Sequence, residues 1–395
     1  MATYTFDELK EKYDNFSHPI VSLTVNGKDF SNNKYELVLS DIEVELTSGY
    51  EASIVNYTIY NTFDQQESKF RIKEAKSYIL LGSSVELALG YSDKALCIFS
   101  GFISKVNFVY PENGIPGIRV TAMDVKGIMM ANNYSRQLTA TSYGEAVKEI
   151  LNKNAYSNMN SKDIIKSLNI SDTPDKRQAA GSDMAGGSSQ NAKDRTIEMV
   201  CESDYEFVIK AAKKYNYEFF SEAGHVYFRK AKSNKETLIE LSPATGLRSL
   251  DVEYDLTGLV ESVQTRGMDT GKAKVITGKK KFSNKISIGN KAKPYIKKSE
   301  KIYIDPTITS QQEADSRAES ILEEISYRFG TLECDCIGMP EILPGHFIRL
   351  TSIGEPPENE FYVVNVRHTI NDHRGFETTI TAKAASIGGS SFGLI

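Results

Sequence analysis

The chain has 395 residues and a formal net charge of −5 at pH 7, with 40% hydrophobic and 25% charged residues. This composition is ordinary for a globular protein, and the length allows two to four domains. The mild negative charge gives no indication of a nucleic-acid partner for the chain as a whole. Four cysteines are too few for a disulfide framework in a chain of this length.

The N-terminal segment, residues 1–19, predicts a short helical arm. Thr5 is followed three residues later by Glu8, which is the pattern of a capping box. The segment has neither the basic start nor the apolar core of a signal peptide. Nowhere does an apolar run approach the roughly 20 residues that span a bilayer. We therefore expect synthesis in the cytoplasm and no insertion of this chain into a membrane.

Residues 20–125 predict one all-β unit. Short runs of alternating character, of which 53–63 is the clearest, recur at intervals of about 8–12 residues. Turns rich in Gly, Asn and Asp separate them. This spacing is typical of a barrel or a sandwich.

Residues 126–245 predict a mixed α/β middle unit. Ser142 and Glu145 form a second capping-box pattern ahead of an apolar helical stripe. The stretch 152–194 is polar and weakly patterned, which predicts a flexible insert.

The most organised part of the middle unit is Cys201–Phe228. Ser203 and Glu206 form a third capping box, and an apolar stripe at helical spacing follows. The period then changes to that of a β-hairpin. We interpret this helix and hairpin as the junction that sets how the two flanking β units sit relative to each other.

Residues 246–385 predict a second β unit, interrupted by a Lys-rich insert at 271–300 and by a helix at 310–327. The insert has ten Lys and one acidic residue. The tail, 386–395, is a Gly/Ser linker with an apolar tip formed by Phe392, Leu394 and Ile395, which we interpret as a docking hook. The predicted fold class is α+β, mostly antiparallel β.

Cys334 and Cys336 are the first candidates for a metal site, because alternate residues of a strand face the same way. Zinc requires about four ligands, and the nearest further candidates in sequence are His346 and His368. Cysteine is also common in protein cores. We favour the core interpretation and predict no metal or cofactor.

No catalytic constellation emerges from the sequence. His368, Asp372 and His373 surround the predicted turn of the last hairpin, and we attribute them to turn polarity. The nucleophile-elbow, zinc-protease and phosphate-loop patterns do not occur. The prediction is therefore that the protein is not an enzyme.

The strongest local charge signal is the run Lys279, Lys280 and Lys281 within the insert. One interpretation is a solvated loop. The other is contact with an acidic neighbouring surface or with nucleic acid. Few aromatic residues are interleaved with the lysines, so recognition of single strands by stacking has little support.

Four stretches occur in an order that resembles a known family. They are Leu81–Tyr91 with Ile98–Ile103; Glu202–Phe228; Leu250–Gly267; and Gly338–Pro340 and Leu343–Gly345 with Tyr362–His368 and Gly375–Thr379. Together they resemble the late control protein D family. Its members are hub proteins of contractile phage tails, related to the N-terminal hub region of VgrG spike proteins. The resemblance covers roughly residues 20–385.

The resemblance implies two tube-like β-barrel domains joined by the mixed middle domain. Three copies would form a hub with six barrels, adapting a six-fold tail tube to a three-fold spike. The implied partners are further copies of the chain, a spike protein, the tail tube protein, other baseplate proteins and the tape-measure protein. The chain would be made in the bacterial cytoplasm and assembled into a phage tail or an extracellular contractile particle such as a bacteriocin.

Two other classes of function stay open at this point. A tail-associated peptidoglycan hydrolase would require a Cys/His or Glu-based site in a cleft. A nucleic-acid-binding tail component would use the lysines of 271–300, and its binding would weaken steeply with salt.

Overall fold

A computed structural model describes residues 3–131, 133–152, 156, 164–173, 197–269, 273–282, 291–308, 310–371 and 375–388. Its helices are α1 (Phe6–Lys12), α2 (Ile72–Ile79), α3 (Val125–Met129), α4 (Tyr143–Leu151), α5 (Asp204–Tyr215), α6 (Lys293–Ile296) and α7 (Gln311–Ser326). In the described ranges no helix combines the length and apolarity needed to cross a bilayer.

The strands up to the middle unit are β1 (Pro19–Val25), β2 (Lys28–Asp29), β3 (Val38–Thr47), β4 (Ile54–Tyr60), β5 (Phe63–Asp64), β6 (Lys69–Phe70), β7 (Ser84–Tyr91), β8 (Lys94–Val109), β9 (Gly117–Met123), β10 (Tyr134–Leu138) and β11 (Ser167–Ile170). Those that follow are β12 (Ile197–Glu202), β13 (Tyr217–Glu222), β14 (His225–Lys230), β15 (Thr237–Leu241), β16 (Leu247–Tyr254), β17 (Ser262–Asp269), β18 (Lys274–Lys281), β19 (Glu300–Ile304), β20 (Gly330–Ile337), β21 (Phe347–Leu350), β22 (Glu360–Asn371) and β23 (Gly375–Ala384).

One large sheet dominates the fold. Strands β1, β7, β8, β9, β4 and β3 pair in that order and form the first strand block. Strands β22, β23, β20 and β16 pair in that order and form the last strand block. Every neighbouring pair within each of these two series is antiparallel. The predicted class, α+β with mostly antiparallel strands, is confirmed.

The two blocks are joined directly by a strand pair. Residues 42–47 of β3 lie antiparallel to residues 365–370 of β22, from the pair Ile42–Ile370 to the pair Thr47–Asn365. The sheet therefore continues from one block into the other. The direct connection between the blocks is therefore the β3–β22 pair, and not the helix and hairpin at 201–228. That the helix and hairpin set how the two β units sit relative to each other stays a prediction.

Aromatic packing reinforces the contact between the blocks. The Tyr91 ring of β7 stacks on Phe376 of β23 with centroids 5.4 Å apart, and its hydroxyl donates to the Gly338 carbonyl at 2.9 Å. Tyr13, from the segment after α1, contacts the same Tyr91 ring at 5.6 Å. Its own hydroxyl donates to the buried Glu341 carboxylate at 2.7 Å. The N-terminal arm thus docks across both blocks.

The middle unit has its own core. Helix α5 begins with the predicted capping box, since Ser203 and Glu206 bond each other's backbone amides. Asn216 ends the helix in a left-handed conformation, φ 58°. The hairpin of β13 and β14 follows, and β11 adds a parallel strand. Apolar residues of α4, α5 and the hairpin pack together separately from the large sheet.

The Lys-rich stretch is not simply an inserted loop. Residues 274–281 form β18, which pairs with β17, and β19 pairs with the other side of β17 in parallel. Helix α7 packs on this three-stranded sheet around a small core of its own, which includes Val263, Ile321, Ile325 and Phe329. We call β17, β18, β19 and α7 the side unit.

Replacing Tyr91 by Phe tests the contact between the blocks. The change keeps the ring but removes the donor to the buried Gly338 carbonyl. We expect the free energy of unfolding to fall by about 1–2 kcal/mol, measured by urea titration with circular dichroism. The same change at Tyr110, which is 67% exposed, should stay within about 0.5 kcal/mol. Equal effects at both positions would contradict the assignment.

Candidate functional site

One face of the large sheet is polar and exposed across both strand blocks. In strands β20, β23, β22 and β3, alternate residues enter the core and the others face outward. The outward face continues over β16 in the last block and over β4, β9 and β8 in the first block through their cross-strand partners. The cross-strand row Glu45, Arg367, Thr379 and Asp335 runs without a break from the first block into the last. Other outward residues, half-buried or exposed, are Asn56, Lys105, Thr121, Asn365, Thr381, Glu333 and Asp251.

This eight-stranded face ends in two open strand edges within the described ranges. At one end β16 pairs only with β20. At the other end the backbone of β8 is bonded on its β7 side only as far as Ile103, which bonds to Gly82 and Ser83, so residues 104–109 pair with β9 alone. Unpaired strand edges are ready sites for pairing with another chain.

The residues Glu202, Ser203 and Asp204 each have a structural partner. Glu202 forms an ion pair with Lys210 at 2.6 Å, and Ser203 caps helix α5. Asp204 is completely buried. Its two carboxylate oxygens accept hydrogen bonds at 2.5 Å from the hydroxyls of Tyr134 and Tyr156. The motif therefore holds the middle unit together and leaves no carboxylate unengaged.

The hairpin of the middle unit is bonded to the last block. Arg229 pairs with the buried Glu218 at 2.6 Å and donates to the Gly345 carbonyl at 2.7 Å. The hydroxyl of Tyr362 donates to the other oxygen of Glu218. Gly345 has φ +87°, and a Cβ there would lie 2.8 Å from the Phe220 ring. The glycine in the stretch 343–345 is thus required by both backbone conformation and space.

Helices α5 and α7 are linked by a buried ion pair. Lys214 Nζ lies 2.8 Å from Glu313 Oε1, and the two side chains are 8% and 1% exposed. Ser310 caps α7 by accepting from the Glu313 amide. Losing one partner of such a pair would leave a buried charge uncompensated, which typically costs several kcal/mol. The side unit is therefore firmly attached to the middle unit.

A second buried pair fixes the turn between β3 and β4. Asp124 accepts from the Ser53 amide at 3.0 Å, and Lys126 Nζ donates to the carbonyls of Gly49 and Glu51 at 3.0 and 2.5 Å. Burial raises the pKa of Asp124 and lowers that of Lys126. Hydrogen bonds to the backbone offset part of this desolvation. The site is a structural clamp on the first block.

A cleft of about 470 Å³ opens where the middle unit, α7 and both blocks meet. Lys232 Nζ lies 4.4 Å from the centroid of the Tyr327 ring, and burial lowers the pKa of its ammonium. The lining carboxylates Glu218 and Glu324 each form an ion pair with an arginine. The cleft is therefore a region of contact between structural units.

The cysteine candidates lie in the core. Cys334 and Cys336 on β20 are 2% and 0% exposed, and burial raises the pKa of both thiols. The described residues contain no group of three or more metal-ligating side chains. The sequence suggested that His368 belongs to a turn, and the structure shows that it does not. It lies fully buried within β22, where Nδ1 is 2.9 Å from Thr378 Oγ1. Asp372 and His373 lie outside the described residues.

The remaining predicted interaction residues are distributed as follows. Lys279 pairs with Glu300, and Lys280 lies 3.2 Å from Glu319. Lys281 is exposed at the end of β18. The tip residues Phe392, Leu394 and Ile395 lie outside the described residues, as does most of the stretch 152–194.

Sequence reasoning missed the ion pairs that hold the units together. Glu218 and Arg229 are directly opposite in the hairpin register, so the predicted hairpin contained the signal for that pair. Lys214 and Glu313 are 99 residues apart in the chain, and each belongs to an otherwise solvated-looking helix pattern. Only the tertiary arrangement reveals their contact.

The fold is that of several tail and secretion proteins. A tail protein from Neisseria meningitidis MC58 superposes with a TM-score of 0.63 at 13% identity, over 93% of this chain and 97% of that one. The 43 kDa tail protein of prophage MuSo2 from Shewanella oneidensis gives 0.63 at 10% identity, over 92% and 98%. An E. coli protein described as a component of the type VI secretion system gives 0.53 at 11% identity, over 94% and 78%.

The chain therefore has a fold that tail proteins and a type VI secretion component share. The chain belongs to the family described as the Alg8 N-terminal domain, whose profile matches residues 19–372. Among curated protein sequences, none matches this chain. The matching profile is not that of late control protein D, so that resemblance stays a prediction at the level of the family.

Replacing Gly345 by Ala tests the bond between hairpin and last block. The new Cβ meets Phe220 and also suffers a positive φ, so we expect a loss of about 2–4 kcal/mol in unfolding free energy. Gly354 has a similar φ of +83° but open space around its missing Cβ. Its change to Ala should cost only about 1 kcal/mol. Indistinguishable urea midpoints for the two variants would reject the packing argument.

The buried imidazole predicts a pH dependence of stability. Burial lowers the pKa of His368 to about 3, whereas an unfolded histidine titrates near 6.5. Below pH 6.5 the unfolded chain binds a proton that the folded chain refuses, so stability falls as the pH drops from 6.5 towards 3. Between pH 7.5 and 5 this amounts to about 2 kcal/mol.

The variant His368→Gln should lack this contribution. We expect its unfolding free energy to change less than that of the native chain between pH 7.5 and 5, by about 2 kcal/mol. His225 is exposed, and His225→Gln should behave like the native chain. Parallel pH profiles for all three proteins would contradict the burial of a neutral imidazole.

Proposed function

We propose that the protein is a structural, non-catalytic hub of a contractile phage tail or a related contractile injection particle. The observation that carries the proposal is the exposed polar face, to which each strand block contributes four strands. A sheet with one packed face and one solvated face is the normal antiparallel arrangement. Here the solvated face spans both blocks and ends in open edges, which suits the wall of a water-filled channel.

The directions of the strands support a closed ring. Along the face from β16 to β8, neighbouring strands alternate in direction, so the first and eighth strands run in opposite directions. Pairing of β8 with β16 of a second copy would therefore also be antiparallel. A contact between two different edges is head-to-tail, and such contacts generate rings when the rotation closes. Three copies would carry six four-stranded units.

The charges at the two edges are complementary. Asp251, Glu253 and Glu333 lie exposed at the β16 end, and Asp251 and Glu333 are direct cross-strand partners. Like charges directly opposite destabilise a sheet unless something neutralises them. Lys105 and Arg119 lie exposed at the β8 end. Contact between copies would bring the two signs together.

The proposed role is assembly and transmission of force. A ring of three copies with six similar units could adapt a six-fold tail tube to a three-fold spike. The tube, the spike, other baseplate proteins and the tape-measure protein are the proposed partners. The buried ion pairs between units would keep the units from shifting under load. The protein would be made in the bacterial cytoplasm and function within the assembled particle.

Charge reversal at the edges tests ring formation. Purified native protein should show three times the chain mass by sedimentation at low salt, and with its spike partner bound it should sediment as a complex that contains three copies of the chain. Lys105→Glu and the double change Asp251→Lys with Glu333→Lys should each weaken association, and the effect should shrink as salt is raised. Combining all three changes should restore association, because both signs are then inverted together.

The matched control is Lys94→Glu, which reverses an exposed lysine at the turn between β7 and β8. It should leave the mass distribution unchanged. A chain that stays monomeric at high concentration in the presence of spike would overturn the proposal. So would charge-reversed variants that associate as well as the native chain.

A further inference from the structure

The side unit presents a sheet with only one packed face. Thr265 of β17 donates to the Ala314 carbonyl of α7 at 2.8 Å. A Cβ on Gly278 of β18 would lie 2.3 Å from the Ala314 carbonyl carbon, so helix and strand are in the closest contact that glycine allows. Helix α7 therefore covers the centre of this face of the sheet.

The opposite face carries a group of exposed aliphatic side chains. Met268 is 51% exposed, Val275 68%, Ile302 49% and Ile304 83%. Met268 and Val275 are cross-strand partners, and the two isoleucines lie on the same side of β19. Single exposed apolar residues are ordinary, whereas a group on one sheet face indicates an interaction surface. We call these four residues the aliphatic patch.

The patch borders an open strand edge. Strand β19 pairs with β17 on one side and, among the described residues, with nothing on the other. The Asp305 amide donates to the Arg266 carbonyl at 2.9 Å, which fixes which amides face β17. Because these alternate along a parallel strand, the amides of Ile302 and Ile304 point to the open edge. The side chains and the backbone amides of Ile302 and Ile304 are therefore both available to a partner.

The side unit and the neighbouring helix α6 are basic. Seven lysines of the side unit and of α6 and its flanks are exposed and form no ion pair with a described carboxylate. They are Lys274, Lys281, Lys291, Lys293, Lys297, Lys298 and Lys301. This charge occurs in a chain whose net charge is −5. A complementary partner would therefore be acidic.

The aliphatic patch distinguishes between two acidic partners. Lysines alone would suit a phosphate backbone. A nucleic acid would leave the isoleucines in contact with phosphate or sugar and offers stacking partners only to aromatic rings. An extended peptide instead can bond to the open edge, bury apolar side chains on the patch and place carboxylates by the lysines.

We propose that β19 is a docking edge for an acidic, strand-forming segment of a partner protein. The segment adds a fourth strand to the sheet of the side unit, alternating aliphatic residues over the patch and carboxylates towards the lysines. Strand addition uses backbone hydrogen bonds for affinity and the side chains for selectivity. The proposal goes beyond the hub function and does not depend on ring formation, because β19 is not an edge of the polar face.

The probe for the test is a fluorescent, capped peptide of alternating Glu and Val, titrated with the full chain at low salt. A peptide of alternating Lys and Val and a single-stranded DNA oligonucleotide serve as comparisons. We expect saturable binding of the Glu/Val peptide that weakens as salt is raised. The Lys/Val peptide should bind at least about tenfold more weakly.

Two substitutions at one position separate the backbone from the side chain. Ile304→Thr removes most of the aliphatic contact but keeps the outward amide, while Ile304→Pro also removes that amide. Proline is tolerated on an edge strand where its nitrogen faces outward, so both variants should fold. We expect Ile304→Pro to bind at least about tenfold more weakly than Ile304→Thr. Lys301→Glu should also weaken binding, with Lys94→Glu as the control.

Three results would overturn the proposal. The first is equal binding of both peptides. The second is equal affinity of Ile304→Thr and Ile304→Pro, provided that their circular dichroism matches that of the native chain. The third is binding of DNA that exceeds binding of the Glu/Val peptide and disappears in Lys301→Glu. Since β19 is not an edge of the polar face, peptide binding does not require the chain to associate with itself, and it therefore separates this proposal from the ring, which sedimentation tests.

Discussion

The pairing of β3 with β22 is the constraint on which the rest of the structure depends. It merges two blocks that lie far apart in the sequence into one sheet. A shift of one residue in this register would exchange inward and outward side chains along one block. The buried core of that block would then face solvent, and the polar face would lose its continuity. The register is therefore as important as the pairing itself.

Two elements behind the sheet hold that register. The N-terminal arm reaches both blocks through Tyr13 and Tyr91. The middle hairpin reaches the last block through Arg229 and Gly345. These contacts combine buried hydrogen bonds with stacked rings at Tyr91 and with a glycine at position 345, where a Cβ would clash with Phe220. Buried polar contacts of this kind are directional, so they select one relative arrangement more strongly than apolar packing alone.

The sequence predicted local structure best where both signal and partner are local. The capping boxes at Thr5 and Ser203 form as their spacing indicates. Ser142 and Ser310 also cap helices, but the glutamates three residues later have other partners. Glu145 bonds to Thr141 and Glu313 to Lys214. A tertiary partner therefore overrides the local pattern in the second case.

Contacts between distant segments were beyond the reach of local patterns. The sequence predicted the last hairpin, which β22 and β23 form, but nothing in its pattern indicated β3 as the other neighbour of β22. His368 has the same explanation. Its polarity suggested a turn, whereas its hydrogen bond to Thr378 on the adjacent strand allows a neutral imidazole in the core. The run of lysines in β18 likewise resembled a loop. The apolar residues against which β18 packs are on α7, so the local pattern does not show them.

The large sheet and the sheet of the side unit expose opposite kinds of surface, and this difference separates their partners. The polar face of the large sheet has few apolar residues and edges of opposite charge, so it suits contact with water on the face and with a second copy at the edges. The side unit has an aliphatic patch beside an edge strand on which Lys301 is exposed and Glu300 is already paired with Lys279. A second identical side unit would meet it with the same charge, so self-pairing there is disfavoured. An acidic strand from another protein removes that repulsion and covers the patch in one step.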